Sequence, residues 1–261
     1  MQSTILVLIL LLASLVLPGP VQADDPMHQE LTRIVARFQE GEQDLALAAI
    51  DSLAHACPED YRTHSVRGQL NVLAGHRTVA EAAFARTLEL DPDNPDAIIH
   101  LKRLRFVPAD FQPPTLLITD NFVLRPIAAA DAELDHAALM GSVEHLQGTF
   151  GAGDAWPQGV TLEENRQVLA WHEQEFRDRS GFVYTVRSRF GDRCVGCVYI
   201  YPSRRTDAQA DVLYWVTAEE AARGRDQVLG RDVRYWMENQ WPLGKILYPG
   251  REMSWEKYLE S

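Results

Sequence analysis

Cys194 and Cys197 have the C-x-x-C spacing that thiol redox sites and zinc sites use. The pair lies inside residues 194–201, an apolar run of β-branched and aromatic residues that predicts a β-strand. Side chains at positions i and i+3 of a regular strand point to opposite faces. We therefore expect the two thiols to lie apart in the core, which favours packing over a redox or zinc role. With Cys57 as the third cysteine, the count does not describe a disulfide scaffold.

The histidines do not show the spacing of a metal-binding pair on one helix face. His172 and Glu175 are near each other on a predicted helix, but Glu164, Glu173 and Asp178 share that helix and make it rich in charge. We expect a solvated face there and no metal site. Patterns of the Ser-His-Asp, nucleophile-elbow and Walker types are also absent from the sequence.

Two domains fit within 261 residues, and the composition, with 46% hydrophobic and 24% charged residues, is that of an ordinary globular protein. A proline-containing stretch without helical period predicts a linker at residues 107–117. The formal net charge of −12 argues against nucleic acid as a partner, because proteins that neutralise nucleic-acid phosphate backbones concentrate Lys and Arg on one face.

After the linker, strands and helices alternate. Thr161 and Glu164 form a capping box that predicts the start of one helix, and Gly191-Asp192 predicts a turn between two strands. The predicted order is a strand at 121–127, helices at 129–147 and 161–179, strands at 182–189, 194–201 and 210–217, a helix at 218–240, and a strand at 245–248.

Several segments in this order have counterparts in one known superfamily. They are the opening strand Phe122–Pro126, Asp131 at the start of the first helix, the strands at 196–200 (GCVYI) and 211–216 (DVLYWV), and Arg223-Gly224 with Gly230, which is similar to an R-G-x-G-x-G pyrophosphate loop. Over residues 118–250 the chain resembles the GNAT N-acetyltransferase superfamily. The resemblance implies an α/β (α+β) domain at 118–261 with a mixed, mostly antiparallel sheet.

The resemblance also implies a reaction, in which an amine attacks the thioester of acetyl-coenzyme A. The backbone N–H of Val216 would polarise the thioester carbonyl, and Arg223, Gly224 and Gly230 would lie at the pyrophosphate. Asp211 would deprotonate the amine, and Tyr248 would donate a proton to the departing thiolate. No metal is implied.

The glycines at 224 and 230 are farther apart than in a pyrophosphate loop, and Asp226 between them places a negative charge where an anion would bind. Both features keep a second hypothesis open. In it, a non-catalytic protein uses a degenerate acyltransferase fold together with the first domain to bind a peptide or protein.

The first domain repeats with a period of 34 residues. Gly41 matches Gly75 and Ala46 matches Ala80, as do residues 50 with 84 and 58 with 92. The period and these positions resemble the tetratricopeptide repeat, so we expect an all-α repeat at residues 28–106. Such repeats present a concave surface. The repeat is therefore predicted to dock a peptide or protein partner, with a spacer as the alternative.

The amino-terminal residues resemble an export signal. An apolar run at residues 5–17 is too short for a membrane span, and Val21-Gln22-Ala23 offers small residues for cleavage. We expect a signal peptide at residues 1–23, export to the periplasm or the medium, and no stable membrane span after cleavage. The first four residues carry no Lys or Arg. An uncleaved anchor, or a cytoplasmic protein with a wrongly assigned start codon, therefore stays open.

Overall fold

A computed structural model describes residues 25–260 and divides them into two compact units, residues 25–104 and residues 105–260. The predicted signal peptide at 1–23 lies outside the described residues. Within the described part of the chain, no helix combines the length and the apolar character needed to cross a bilayer.

The first unit is helical. Its helices are α1 (Pro26–Gln39), α2 (Gln43–Ala56), α3 (Tyr61–Leu73), α4 (Arg77–Leu90) and α5 (Pro95–Leu104). Helices α1 and α2 form one pair, and α3 and α4 form the next. The second helices of the two pairs begin at Gln43 and Arg77, which are 34 positions apart as the repeat predicts. This arrangement agrees with a helical repeat, while its membership of the tetratricopeptide class stays a prediction.

Gly68 of α3 allows a close helix crossing. A Cβ atom at this position would lie 2.7 Å from ring atoms of Phe84 in α4. Phe84 is completely buried, and its ring stacks on His100 with ring centroids 4.6 Å apart. The ring therefore has no free space into which it could move.

We expect Gly68→Ala to destabilise the helical unit. Overpacking against Phe84 costs about 1–3 kcal/mol, and the gain in helix propensity returns at most about 1 kcal/mol. All the tryptophans lie at position 156 or later, so tryptophan fluorescence does not report on this unit. Amide hydrogen exchange of α3 and α4 is the suitable measurement. Ser52→Ala, at an exposed position of α2, is the control. Equal exchange in both variants would show that the crossing is not tight.

The second unit is built on one six-stranded sheet. Its strands are β1 (Leu117–Ile118), β2 (Phe122–Pro126), β3 (Phe182–Ser188), β4 (Cys194–Pro202), β5 (Ala210–Val216) and β6 (Ile246–Leu247). The spatial order follows the chain, with antiparallel pairs up to β5 and a parallel pair between β5 and β6. The predicted mixed, mostly antiparallel sheet is confirmed.

The helices of this unit are shorter than predicted. They are α6 (Ala132–Met140) after a 3₁₀ turn at Ala129–Asp131, α7 (Val143–Leu146), α8 (Leu162–Asp178), α9 (Ala218–Ala222), α10 (Arg225–Gln240) and α11 (Trp255–Leu259). The predicted helix at 218–240 is interrupted at Gly224, whose φ of 71° lies in the left-handed region. The capping box of Thr161 and Glu164 begins α8 as predicted.

Two cores cover the two faces of the sheet. In β5, Val212 and Val216 join the core that contains Trp236 of α10, while Trp215 joins the core that contains Leu139 of α6. Strand side chains alternate between faces, so α10 lies on one side and α6 on the other. Phe106 and Val107 pack in the first of these cores, and the predicted linker at 107–117 therefore starts inside the second unit.

The prediction that Cys194 and Cys197 point to opposite faces is wrong. Val186 pairs with Gly196 and the next residue, Arg187, pairs with Cys194, so Val195 is an extra residue in β4. This β-bulge reverses the alternation. Cys194 and Cys197 consequently lie in the same core, and Val195 lies in the other one.

Candidate functional site

A cleft opens where the two parallel strands separate. Strands β5 and β6 pair only at Ala210 with Ile246 and at Asp211 with Leu247. Beyond these pairs there is a cavity of about 440 Å³. Its lining comes from β5 (213–216), the turn and first residues of α10 (224, 226, 227), the segment after β6 (249–251 and 255), and residues 145–149.

One wall of the cleft is the main-chain edge of β5. The carbonyl of Tyr214 accepts a hydrogen bond from the Arg251 guanidinium at 3.0 Å, and the N–H of Thr217 bonds on the opposite side, to Val195 of β4. The N–H and C=O groups of successive strand residues point alternately to the two edges. The N–H of Val216 therefore points to the same edge as Tyr214, towards the cleft.

The other feature of the cleft is a helix amino terminus. Gly224 precedes α10 without a side-chain cap, and the first N–H groups of a helix have no partner within it. Gly224, Asp226 and Gln227 line the cavity, so this terminus faces it. Such a terminus attracts anions.

The arginine side chains near this terminus are already paired with acidic side chains. Glu220, which is buried, accepts from Arg223 at 3.0 Å and from Arg225 at 2.7 Å. Asp226 accepts two bonds from Arg251, at 2.6 and 2.9 Å. The local charge is therefore largely balanced before any ligand arrives.

Only some of the residues predicted to bind coenzyme A line the cavity. Val216 and Gly224 line the cavity, whereas Arg223 and Gly230 are not part of its lining. Gly230 lies inside α10, where an added Cβ would be 2.4 Å from the hydroxyl of Tyr214. The close packing of α10 on β5 therefore explains why a glycine occurs at position 230.

Asp211 and Tyr248, the predicted acid–base pair, also lie outside the cavity lining. Asp211 is buried and accepts hydrogen bonds from the hydroxyl of Tyr258 and from the N–H of Arg204. Burial raises the pKa of the Asp211 carboxyl, and the bond from Tyr258 opposes this shift. Burial also raises the pKa of Tyr248, to about 12.

The expectation of a solvated face at His172 and Glu175 is wrong. Both are buried, and Glu175 accepts from the hydroxyl of Tyr201 at 2.8 Å and lies 3.1 Å from Nδ1 of His172. A buried polar group is tolerated when it is hydrogen-bonded. The partner Tyr201 belongs to β4, so the sequence of α8 alone gives no sign of it.

Arg251 and Trp255 are among the cavity residues that were not identified from the sequence. They follow the last predicted strand, in a segment without a recognisable motif. The guanidinium of Arg251 also lies over the ring of Tyr214, 4.4 Å from the ring centroid.

Comparison with known proteins identifies no family for this chain. No family model matches it, and no curated protein matches it. Among solved structures, it is similar to a ribosomal-protein-S5-alanine acetyltransferase from Vibrio fischeri, with 17% identity and a TM-score of 0.42 over 52% of this chain and 73% of that one. A GNAT-family acetyltransferase from Streptococcus pneumoniae has 16% identity and a TM-score of 0.30 over 46% of this chain and 68% of that one. Similarities of this size assign no activity.

We expect Arg251→Ala to destabilise the second unit by about 1–2 kcal/mol, because it removes charge-assisted bonds to Asp226 and the bond to Tyr214. Tryptophan fluorescence during urea unfolding reports on this unit, which contains all six tryptophans. Arg177→Ala, which breaks an exposed pair with Glu173 on α8, is the control and should change stability by less than about 0.5 kcal/mol. Equal effects would mean that Arg251 does not hold the cleft together.

Proposed function

We propose that residues 105–260 transfer an acyl group from coenzyme A to an amine. The observation that carries this proposal is the parting of β5 and β6, which leaves the main-chain edge of β5 facing a cavity that also contains a helix amino terminus. An unpaired strand edge offers hydrogen bonds to an extended, amide-containing ligand arm. A helix terminus suits the phosphates of the same ligand.

The acyl end of this ligand fits the structure. Acetyl-coenzyme A would supply an activated carbonyl. The N–H of Val216 points to the cleft from a rigid, buried strand. A fixed donor of this kind stabilises negative charge as it develops on a carbonyl oxygen. This is the role that we propose for Val216.

The diphosphate end fits less well. Gly224 leaves the first turn of α10 uncapped, but Asp226 in that turn repels an anion. We propose that Arg251 turns from Asp226 to the diphosphate when the ligand binds. In this arrangement Gly224 and the α10 amides hold the phosphates, and Arg223 stays with its acidic partners Glu219 and Glu220.

If this assignment is correct, Asp226→Asn should bind acetyl-coenzyme A about two- to fivefold more tightly than the wild type. Removing a carboxylate next to bound phosphates at a helix start relieves about 0.3–1 kcal/mol of repulsion. Isothermal titration calorimetry of the full chain measures it. Asp120→Asn, an exposed site in the same unit, changes the net charge equally and should have no effect.

The same titration separates the acyltransferase from its non-catalytic alternative. A Kd that responds to Asp226→Asn supports the acyltransferase. If neither the wild type nor the variant releases heat at high micromolar acetyl-coenzyme A, the acyltransferase proposal fails. The ion pair of Arg251 and Asp226, which occupies the cleft, would then favour a protein that binds a peptide or protein without catalysis.

Two groups can be proposed to take the proton of the amine. Asp211 follows from the resemblance, but it is 5% exposed and bound by Tyr258, so it would act through water. His145 lies exposed on the cavity wall and can meet an amine directly. We assign the role to His145, and we keep Tyr248 as the proposed proton donor to the thiolate.

We expect His145→Gln to lower acyl transfer to primary amines by about 10²–10⁴-fold, since general bases contribute this much. Release of the coenzyme A thiol, measured with a panel of primary amines, gives the rate. Asp211→Asn should retain the wild-type rate. The reverse result would assign the base to Asp211.

Two further proposals concern the rest of the chain. The helical unit is proposed to dock a peptide or protein partner, which the spacing of its helices supports. Export after cleavage at Ala23 is also proposed, and mass spectrometry of the mature amino terminus tests it. An intact amino terminus would contradict export through a cleaved signal.

A further inference from the structure

Three potential metal ligands meet between α6 and β4. The thiols of Cys194 and Cys197 lie 3.6 and 3.3 Å from the same oxygen, Oδ1 of Asp135. All three ligand atoms lie within 4.8 Å of one another, and all three residues are buried. The bulge at Val195 produces this arrangement, because a regular strand would separate the two thiols.

The distances suit a tetrahedral ion. A zinc ion binds sulfur at about 2.3 Å and carboxylate oxygen at about 2.0–2.2 Å, so sulfur and oxygen ligands of one tetrahedral ion lie about 3.5–3.7 Å apart. The two sulfur–oxygen distances of 3.3 and 3.6 Å need only a small adjustment to reach this geometry. Thiolate ligands select zinc over the hard cations magnesium and calcium.

The surroundings of Asp135 differ from those of Asp131 and Glu220, two other buried carboxylates in this unit. Asp131 pairs with Arg125 and Arg187, and Glu220 pairs with Arg223 and Arg225. Among the described residues, Asp135 has no ion pair with a lysine or arginine. An ionised carboxylate is rarely buried unless it is paired or coordinates a metal.

A second layer of contacts orients the ligands. The side-chain amide of Asn165 in α8 donates to Oδ2 of Asp135 at 3.0 Å, which leaves Oδ1 directed at the sulfurs. The hydroxyl of Thr185 in β3 lies 3.6 Å from the sulfur of Cys194 and can donate to it. Partners of this kind fix the direction of ligand atoms in metal sites.

We propose that Asp135, Cys194 and Cys197 bind a zinc ion that ties α6 to β4, with a water molecule as fourth ligand. Binding forms two Zn–S bonds and one Zn–O bond to Asp135; the hydrated ion keeps one water and releases the others, and the two thiol protons leave to solvent without a change of oxidation state. This site is separate from the cleft and does not depend on the proposed acyl transfer.

The test uses the full chain, reduced and stripped with a chelator. We expect it to take up one equivalent of Zn²⁺ in competition with a chromophoric chelator. With Co²⁺ it should show thiolate-to-cobalt charge transfer and the intense d–d bands of four-coordination. Cys197→Ser and Asp135→Asn should each weaken binding at least about tenfold. Cys57→Ser, which removes the cysteine of the helical unit, should bind as the wild type does.

If Cys197→Ser or Asp135→Asn does not fold, Asn165→Ala replaces them, with an expected weakening of about 10–100-fold because it affects only the orientation of Asp135. A reduced wild type that takes up no metal overturns the proposal. A cobalt spectrum without thiolate charge transfer, or equal binding by Cys197→Ser and Cys57→Ser, also overturns it.

Discussion

The pairing of β4 with β5 determines the geometry of the second unit. The two strands are in register from Gly196 with Val216 to Pro202 with Ala210. Gly196 makes this register possible, because a Cβ atom there would lie 2.2 Å from the carbonyl oxygen of Trp215. The register decides which side chains enter each core and which main-chain groups of β5 face the cleft. The bulge at Val195 belongs to the pairing of β4 with β3, and it brings the two cysteine thiols together on one face.

The sequence predicts those features of this unit that depend on local patterns. Short runs rich in apolar residues predict β3 to β5, and Thr161 with Glu164 marks the start of α8. The bulge could not be predicted in this way, because the rule of alternation assumes one residue per step and Val195 breaks that assumption. The burial of His172 depends in the same way on Tyr201, a partner 29 positions away in another element. Contacts between distant segments are not visible in a single local pattern.

The residues of the candidate site show the same difference between local patterns and contacts with distant segments. Val216 and Gly224 were found from the sequence through the resemblance, because the motifs that carry it are short and continuous in the chain. Arg251 was missed, since its significance comes from Asp226, a residue 25 positions earlier, and from the carbonyl of Tyr214. The likeness of position that selected Asp211 could not reveal that Tyr258, 47 positions later, already bonds its carboxylate.

The two ends of the cleft therefore differ in how firmly the fold determines them. The donor at Val216 is a main-chain group, which no side-chain replacement removes while β5 keeps its register. The helix terminus at Gly224 is also a main-chain feature, but its effect on an anion is a sum of main-chain dipoles and side-chain charges. Asp226 and Glu220 reduce that sum, and Arg251 restores part of it. In the proposed complex with acyl-coenzyme A, the contact with the acyl arm would depend on the separation of the strands, whereas the affinity for the diphosphate would depend on a few exchangeable charges.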